Sequence, residues 1–155
     1  MGAARSDQEI EMAVDIRDCS AGDFEQVLEL LQQLWPEADL DGPRLEKVFA
    51  ASREVDTDEC FCAVEDDRII GFCTMSVKNS LLFAGLAVYV DILIVREGFR
   101  KTGVGASLLD TAAQVARDHG CVALELDSGF QRTGAHEFYK AQGFKQLGFL
   151  FGKSL

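Results

Sequence analysis

The chain has 155 residues, the size of one ordinary domain, and its 48% hydrophobic content supplies enough apolar surface for a sizeable core. Its 15 basic and 26 acidic side chains leave a formal net charge of -11, which repels nucleic acid and anionic membrane surfaces and excludes both as expected partners. The first residues lack the apolar core of a secretion signal and no apolar run reaches membrane-spanning length, so a cytoplasmic protein is expected.

Residues 1–12 are polar and aperiodic and read as a disordered lead-in to a single domain over 13–155. A short alternating strand, Val14 to Arg17, comes first. Asp23 is then an N-cap candidate for a helix carrying Phe24, Val27, Leu28, Leu31 and Leu34 on one face, which Pro36 stops. An acidic loop from Pro36 to Gly42 leads to a second helix, with Pro43 in its first turn and Leu45, Val48 and Phe49 along it. Two apolar runs, Cys60–Val64 and Ile69–Val77, flank Glu65-Asp66-Asp67-Arg68 and predict a hairpin. Leu86 to Val95 is apolar apart from Asp91 and is expected to be the central strand.

After a glycine-bearing loop, Val104, Leu108, Leu109, Ala112, Val115 and Ala116 form a helical stripe that ends at His119-Gly120. Cys121 to Leu126 is then a strand parallel to the one before, reached by a right-handed crossover that opens a crevice at the strand ends. A helix from about Arg132 to Gln142 and strands near Phe144–Leu147 and Phe149–Lys153 complete a mixed α/β domain. The five cysteines include no CxxC pair and lie mostly in apolar runs, so they read as reduced, buried thiols. His119 and His136 lack metal-ligand spacing, and no metal site is expected.

Spacing decides what the loop Arg100-Lys101-Thr102-Gly103-Val104-Gly105 can hold. Gly98 and Gly103 stand as in a nucleotide P-loop, but Val104-Gly105 follows where a lysine and a hydroxyl are required. A dinucleotide fingerprint begun at Gly103 and Gly105 would place its third glycine at Leu108. There remains a loop whose unhindered backbone N–H groups converge on an anion at a helix N-terminus, with pyrophosphate as the natural guest.

This loop, together with Ala135-His136-Glu137-Phe138-Tyr139-Lys140-Ala141-Gln142-Gly143-Phe144, resembles the GNAT superfamily of N-acetyltransferases, whose members carry Ala-x-x-Phe-Tyr-x-x-x-Gly-Phe on the helix flanking the cofactor. The resemblance implies a mixed, mostly antiparallel sheet with a parallel, splayed strand pair and helices on both faces, and it implies acetyl-CoA as cofactor. It further implies that the backbone of Leu93, Ile94 and Val95 pairs with the pantetheine arm. Arg100, Lys101, Thr102, Gly103, Val104, Gly105 and Ala106 would enclose the pyrophosphate, and Arg132, where many members have asparagine, would contact the arm. A homodimer is consistent with the likeness, since late strands in such domains pair or exchange.

Acetyl transfer to an amine needs a neutral nucleophile, a polarised thioester and a proton for the departing thiolate. By resemblance Tyr139 is the acid. Asp91, whose burial without a partner would cost several kcal/mol, is expected to face a polar cleft and to orient the acceptor amine or accept its proton through water. Leu34-Trp35-Pro36 is similar to a segment of aminoglycoside 6′-N-acetyltransferases, and Trp35, Glu37 and Asp39 are expected at the acceptor site, where the acidic pair would attract a small cationic amine. Direct transfer in a ternary complex is the first expectation. A non-catalytic acyl-CoA-binding or protein-interaction module on the same fold is the alternative.

Overall fold

The computed structural model describes residues 14–155, so the lead-in expected over 1–12 lies outside the described residues. Its elements are β1 (Asp15–Asp18), α1 (Phe24–Leu34), α2 (Gly42–Ser52), β2 (Asp58–Glu65), β3 (Arg68–Ser80), β4 (Gly85–Val95), α3 (Val104–Asp118), β5 (Ala123–Leu126) and α4 (Thr133–Ala141). The five strands run in the order β1-β2-β3-β4-β5. Every pair is antiparallel except β4 and β5, which α3 connects as a crossover.

Helix starts follow local chemistry. At α2 the Asp41 carboxylate accepts the Arg44 N–H at 3.0 Å, with proline in the first turn. Asp23 does not cap α1 as expected. Its carboxylate takes two bonds from the Arg17 guanidinium, at 2.7 and 2.9 Å, and one from the Ser20 N–H at 2.6 Å, closing a single 3-10 turn over Ala21–Asp23 ahead of the helix. That pairing holds its pKa down at about 2. The β2–β3 turn places Asp66 and Asp67 at φ 48 and 61, the two left-handed residues that a tight hairpin requires.

Two apolar layers cover the sheet. Phe61, Ala63, Cys73, Met75, Val88 and Val90 pack under α3 residues Val104, Leu108, Ala112 and Ala116. Phe24, Val27, Leu30, Leu31 and Phe49 cover Cys62, Ile69, Phe72 and Ile94 on the other face. Gly71 permits the close approach of α3, because a Cβ there would lie 2.9 Å from Leu108 Cδ1, 3.0 Å from Val104 Cγ1 and 3.3 Å from the Ala63 Cβ. Gly71→Ala is therefore expected to destabilise the fold by about 1–3 kcal/mol. A denaturant titration checks this, and an unchanged midpoint would refute the tight packing.

Two expectations are corrected. Leu86–Val95 is not the central strand. β3 has two strands on either side of it, because the crossover places β5 outside β4 and no further strand covers β5. No strand forms near Phe144–Leu147 or Phe149–Lys153. The outer edge of β5, only four residues long, has no partner among the described residues, and Gly148 and Gly152 weaken this segment's own strand preference. Leu147, Phe149, Leu150 and Phe151 remain between 66% and 91% exposed.

Candidate active site

β4 ends at Val95, and the chain then turns through three left-handed residues, Gly98 at φ 91, Lys101 at φ 61 and Gly103 at φ 91, before α3 begins. Gly103 is the N-cap and provides no side-chain acceptor. The first backbone bond into the helix runs from the Ser107 N–H to the Gly103 carbonyl at 3.0 Å. The N–H groups of Val104, Gly105 and Ala106 are thus the free donors at the positive end of a 15-residue helix. With Arg100, Lys101 and Thr102 exposed beside them, this end suits a phosphate.

Gly105 has a different purpose. A Cβ there would lie 3.3 Å from Phe138 Cζ and 3.5 Å from Val95 Cγ2. It is the point where α4 docks on the start of α3, so two motifs far apart in sequence form one wall.

The parallel ladder of β4 with β5 spans Ala87↔Ala123 to Val90↔Leu126 and stops there, while β4 continues to Val95 paired only with β3. Strand alternation turns the backbone of Ile94 toward β3 and that of Leu93 and Val95 toward the opening. Gln33, which sequence reasoning missed, reaches the end of this edge. Its side chain donates to the Val95 carbonyl at 3.0 Å and accepts the Glu97 N–H at 2.8 Å. Leu93 is left with both backbone groups facing the opening and no ladder partner, as an extended ligand arm would need. Arg96, also missed, anchors the following loop. It donates to the Ile69 carbonyl at 2.8 Å and pairs with Glu29 at 2.9 Å, and one buried guanidinium nitrogen has no partner among the described residues. Only the fold could expose either role, since Gln33 reaches from α1 to the end of β4 and Arg96 reaches back to β3 and α1.

Tyr139 sits on α4 between the rings of Phe138 and Phe144, at centroid distances of 5.4 and 5.8 Å. Burial raises its pKa above the ordinary phenol value; Arg132 opposes the rise, and Cys73 and Asp127 add to it. The Arg132 guanidinium donates to the Leu34 carbonyl at 2.6 Å, latching the start of α4 to the end of α1. A groove of about 1080 Å³ runs past Tyr139, with Tyr89, Leu109, Asp127 and Leu150 among its walls.

Asp91 owes its position to a β-bulge. Register shifts between Thr74↔Ile92 and Met75↔Val90, so Asp91 is the extra residue on β4. The bulge also reverses the strand's facing: Val88 and Val90 lie under α3, whereas Ile92 and Ile94 face α1 and α2. Asp91 is consequently solvent-accessible, on the α1–α2 face where the splay opens. Partial desolvation raises its pKa above the usual carboxylate value, and Asp58 and Asp127 push the same way, against Ser76 and Lys78. Asp127 also accepts a short hydrogen bond from the Tyr89 hydroxyl. Tyr139 and Asp91 border separate cavities, Tyr139 with Tyr89 and Asp127, and Asp91 with Asp58.

Trp35, Glu37 and Asp39 lie exposed in the α1–α2 connection, and neither they nor the loop 100–106 line the two cavities beside Tyr139 and Asp91. Arg132 holds the carbonyl next to Trp35, so this connection borders the start of α4. His136 is structural, its Nε2 lying 2.9 Å from the Gly129 carbonyl. Ligand atoms of Cys19, Asp23 and Cys62 lie within 4.8 Å of one another, yet the Asp23 carboxylate is already neutralised by Arg17. No helix among the described residues is long and apolar enough to cross a membrane.

A sheet whose one parallel ladder ends early, with an uncapped helix N-terminus beside it, suits an extended, phosphate-bearing ligand. The model of the acetyltransferase (GNAT) family matches residues 24–144, and the chain belongs to that family. It is 26% identical over 151 residues to aminoalkylphosphonate N-acetyltransferase of Salmonella typhimurium, covering 97% of each chain. It is also 26% identical to aminoglycoside N(6')-acetyltransferase type 1 of Stenotrophomonas maltophilia, covering 88% of this chain and 90% of that one. In fold it matches an aminoglycoside N-acetyltransferase solved in complex with CoA, with a TM-score of 0.80, 21% identity and coverage of 92% of this chain and 94% of that chain. The protein is an acetyl-CoA-dependent acyltransferase.

Proposed function

We propose that this enzyme transfers the acetyl group of acetyl-CoA to a primary amine of a small cationic molecule, directly and within a ternary complex. The observation that supports the reading is the free edge of β4 beyond Val90, beside the uncapped start of α3. Bound acetyl-CoA supplies an activated acetyl thioester. The donors at the start of α3, with Arg100 and Lys101, hold its pyrophosphate, and the outward backbone groups of Leu93 with the Val95 N–H align its arm. Arg132 closes the start of α4 against α1 beside that arm, and Trp35, Glu37 and Asp39 edge the acceptor's approach. Asp91 accepts the proton that the acceptor ammonium must lose before its nitrogen can attack, and Tyr139 delivers a proton to the sulfur as the carbon–sulfur bond breaks. Thiol release over a panel of amines tests this. CoA binding without turnover on any amine would overturn it in favour of a binding module.

The raised Asp91 pKa has a signed consequence. The ionised carboxylate is the active form, so kcat/KM rises with pH through a limb lying above the ordinary carboxylate value of about 4. Asp91→Asn is expected to remove that limb and lower kcat/KM by about 10- to 100-fold. An unchanged pH profile would exclude Asp91 from proton transfer.

We further propose that a second copy of the chain covers the exposed apolar residues of 147–151, next to the free outer edge of β5. Sedimentation is expected to show a dimer that Phe149→Glu with Phe151→Glu dissociates. A monomeric wild type would refute it.

A further inference from the structure

A second cavity, of about 250 Å³, lies beside Asp91 on the α1–α2 face of the sheet. Phe72 and Ile92 form its floor, and Leu31, Leu45, Val48 and Phe49 form its walls. Asp58 and Asp91 are the carboxylates at its polar side; Glu59 also borders it, but its carboxylate is turned to His119 at 3.1 Å. None of its fourteen lining residues is a lysine, arginine or histidine. Asp58 is close enough to Asp91 to raise its pKa. Val48 stands 60% exposed at the mouth, an apolar side chain that nothing among the described residues covers.

Charge and volume together select a ligand. Two adjacent carboxylates with no cation in the lining are stabilised by an ammonium and repel a phosphate or phosphonate. An apolar cavity of about 150 Å³ holds a benzene molecule, so this one has room for a ring and a short linker. Polyhydroxylated bodies would leave hydroxyls unpaired against Phe49, Phe72 and Ile92.

Building on the acetyltransferase reading above, we infer that the acceptor is an amphipathic primary amine, with an aromatic or branched aliphatic body in this cavity and its ammonium between Asp58 and Asp91. The apolar body is recognised by Leu31, Leu45, Phe49 and Phe72, and phosphorylated amines are rejected by the carboxylates. The selectivity differs from the activity carried in the name of the Salmonella relative.

The test compares two acceptors that share an aminoethyl group, 2-phenylethylamine and 2-aminoethylphosphonate, with kanamycin as a third, by thiol release with acetyl-CoA. The expected result is a kcat/KM for 2-phenylethylamine at least about tenfold above that of either other amine. Asp58→Asn should raise KM for 2-phenylethylamine several-fold and leave kcat nearly unchanged, since Asp58 holds the ammonium and moves no proton. Val48→Lys, at an exposed site that tolerates substitution, should narrow the preference over the phosphonate by placing a cation on the rim. Equal or better turnover of 2-aminoethylphosphonate or kanamycin by the wild type would overturn the inference and leave N-acetyl transfer intact. CoA binding with no turnover of any amine would overturn both.

Discussion

Tyr139→Phe is expected to lower the kcat of acetyl transfer by about 10²- to 10³-fold, with KM for acetyl-CoA changing little. The substitution removes one hydroxyl and retains the ring, so the packing of residue 139 between Phe138 and Phe144 survives and stability is nearly unaltered. What the variant would lack is the proton proposed for the departing sulfur. Because burial raises the Tyr139 pKa, the phenol is protonated through neutral pH, and the alkaline limb of kcat lies above the ordinary tyrosine value of about 10. In the variant that limb should vanish. A kcat within twofold of wild type would assign Tyr139 to packing alone.

Gly103→Val is expected to weaken CoA binding by about 5- to 150-fold, measured by calorimetry. Gly103 has φ 91, a conformation that a β-branched residue adopts only under strain, at a cost of about 1–3 kcal/mol. Nothing lies within 4 Å of the added Cβ, so the substitution tests backbone conformation without a clash. Strain there either distorts the turn that aims the Val104, Gly105 and Ala106 N–H groups or shifts the loop out of it, and both outcomes reduce anion binding. Gly103→Asn, whose side chain tolerates the left-handed region, should bind nearly as wild type. Unaltered binding by the valine variant would show that the pyrophosphate is held elsewhere.

Much of the site was legible along the chain because it depends on local backbone geometry. A strand, a turn rich in glycine and a helix start are neighbours in sequence, and the absence of a side-chain acceptor at Gly103 follows from residue type. The hairpin through Asp66 and Asp67 and the helix stop at Pro36 are equally local. Where expectation failed, the missing quantity was a partner. Asp23 has the chemistry of an N-cap, yet Arg17 lies within reach and the stronger charged pair takes the carboxylate. The segment 144–153 has strand-like apolar content, but no edge of the sheet pairs with it.

Gln33 and Arg96 illustrate the same limit from the other side. Neither belongs to a motif, and each acquires its role by reaching a strand more than 25 residues away in sequence, Gln33 to Val95 and Arg96 to Ile69. Asp91 shows both contributions. Its isolation in an apolar strand marked it as a residue facing something polar, but alternation alone could not reveal that it is the extra residue of a bulge.

By itself, then, the sequence determined the glycine turn at the start of α3, the acetyltransferase family and the choice of Tyr139 and Asp91 as reactive candidates, because short-range spacing and residue chemistry specify them. The tertiary structure decided that Gly105 and Phe138 join the two motifs into one wall, and that the β4–β5 ladder stops at Val90. It also decided that Asp91 faces an apolar cavity shared with Asp58. These depend on which distant surfaces pack together, and the free energy of that packing is distributed over the whole core.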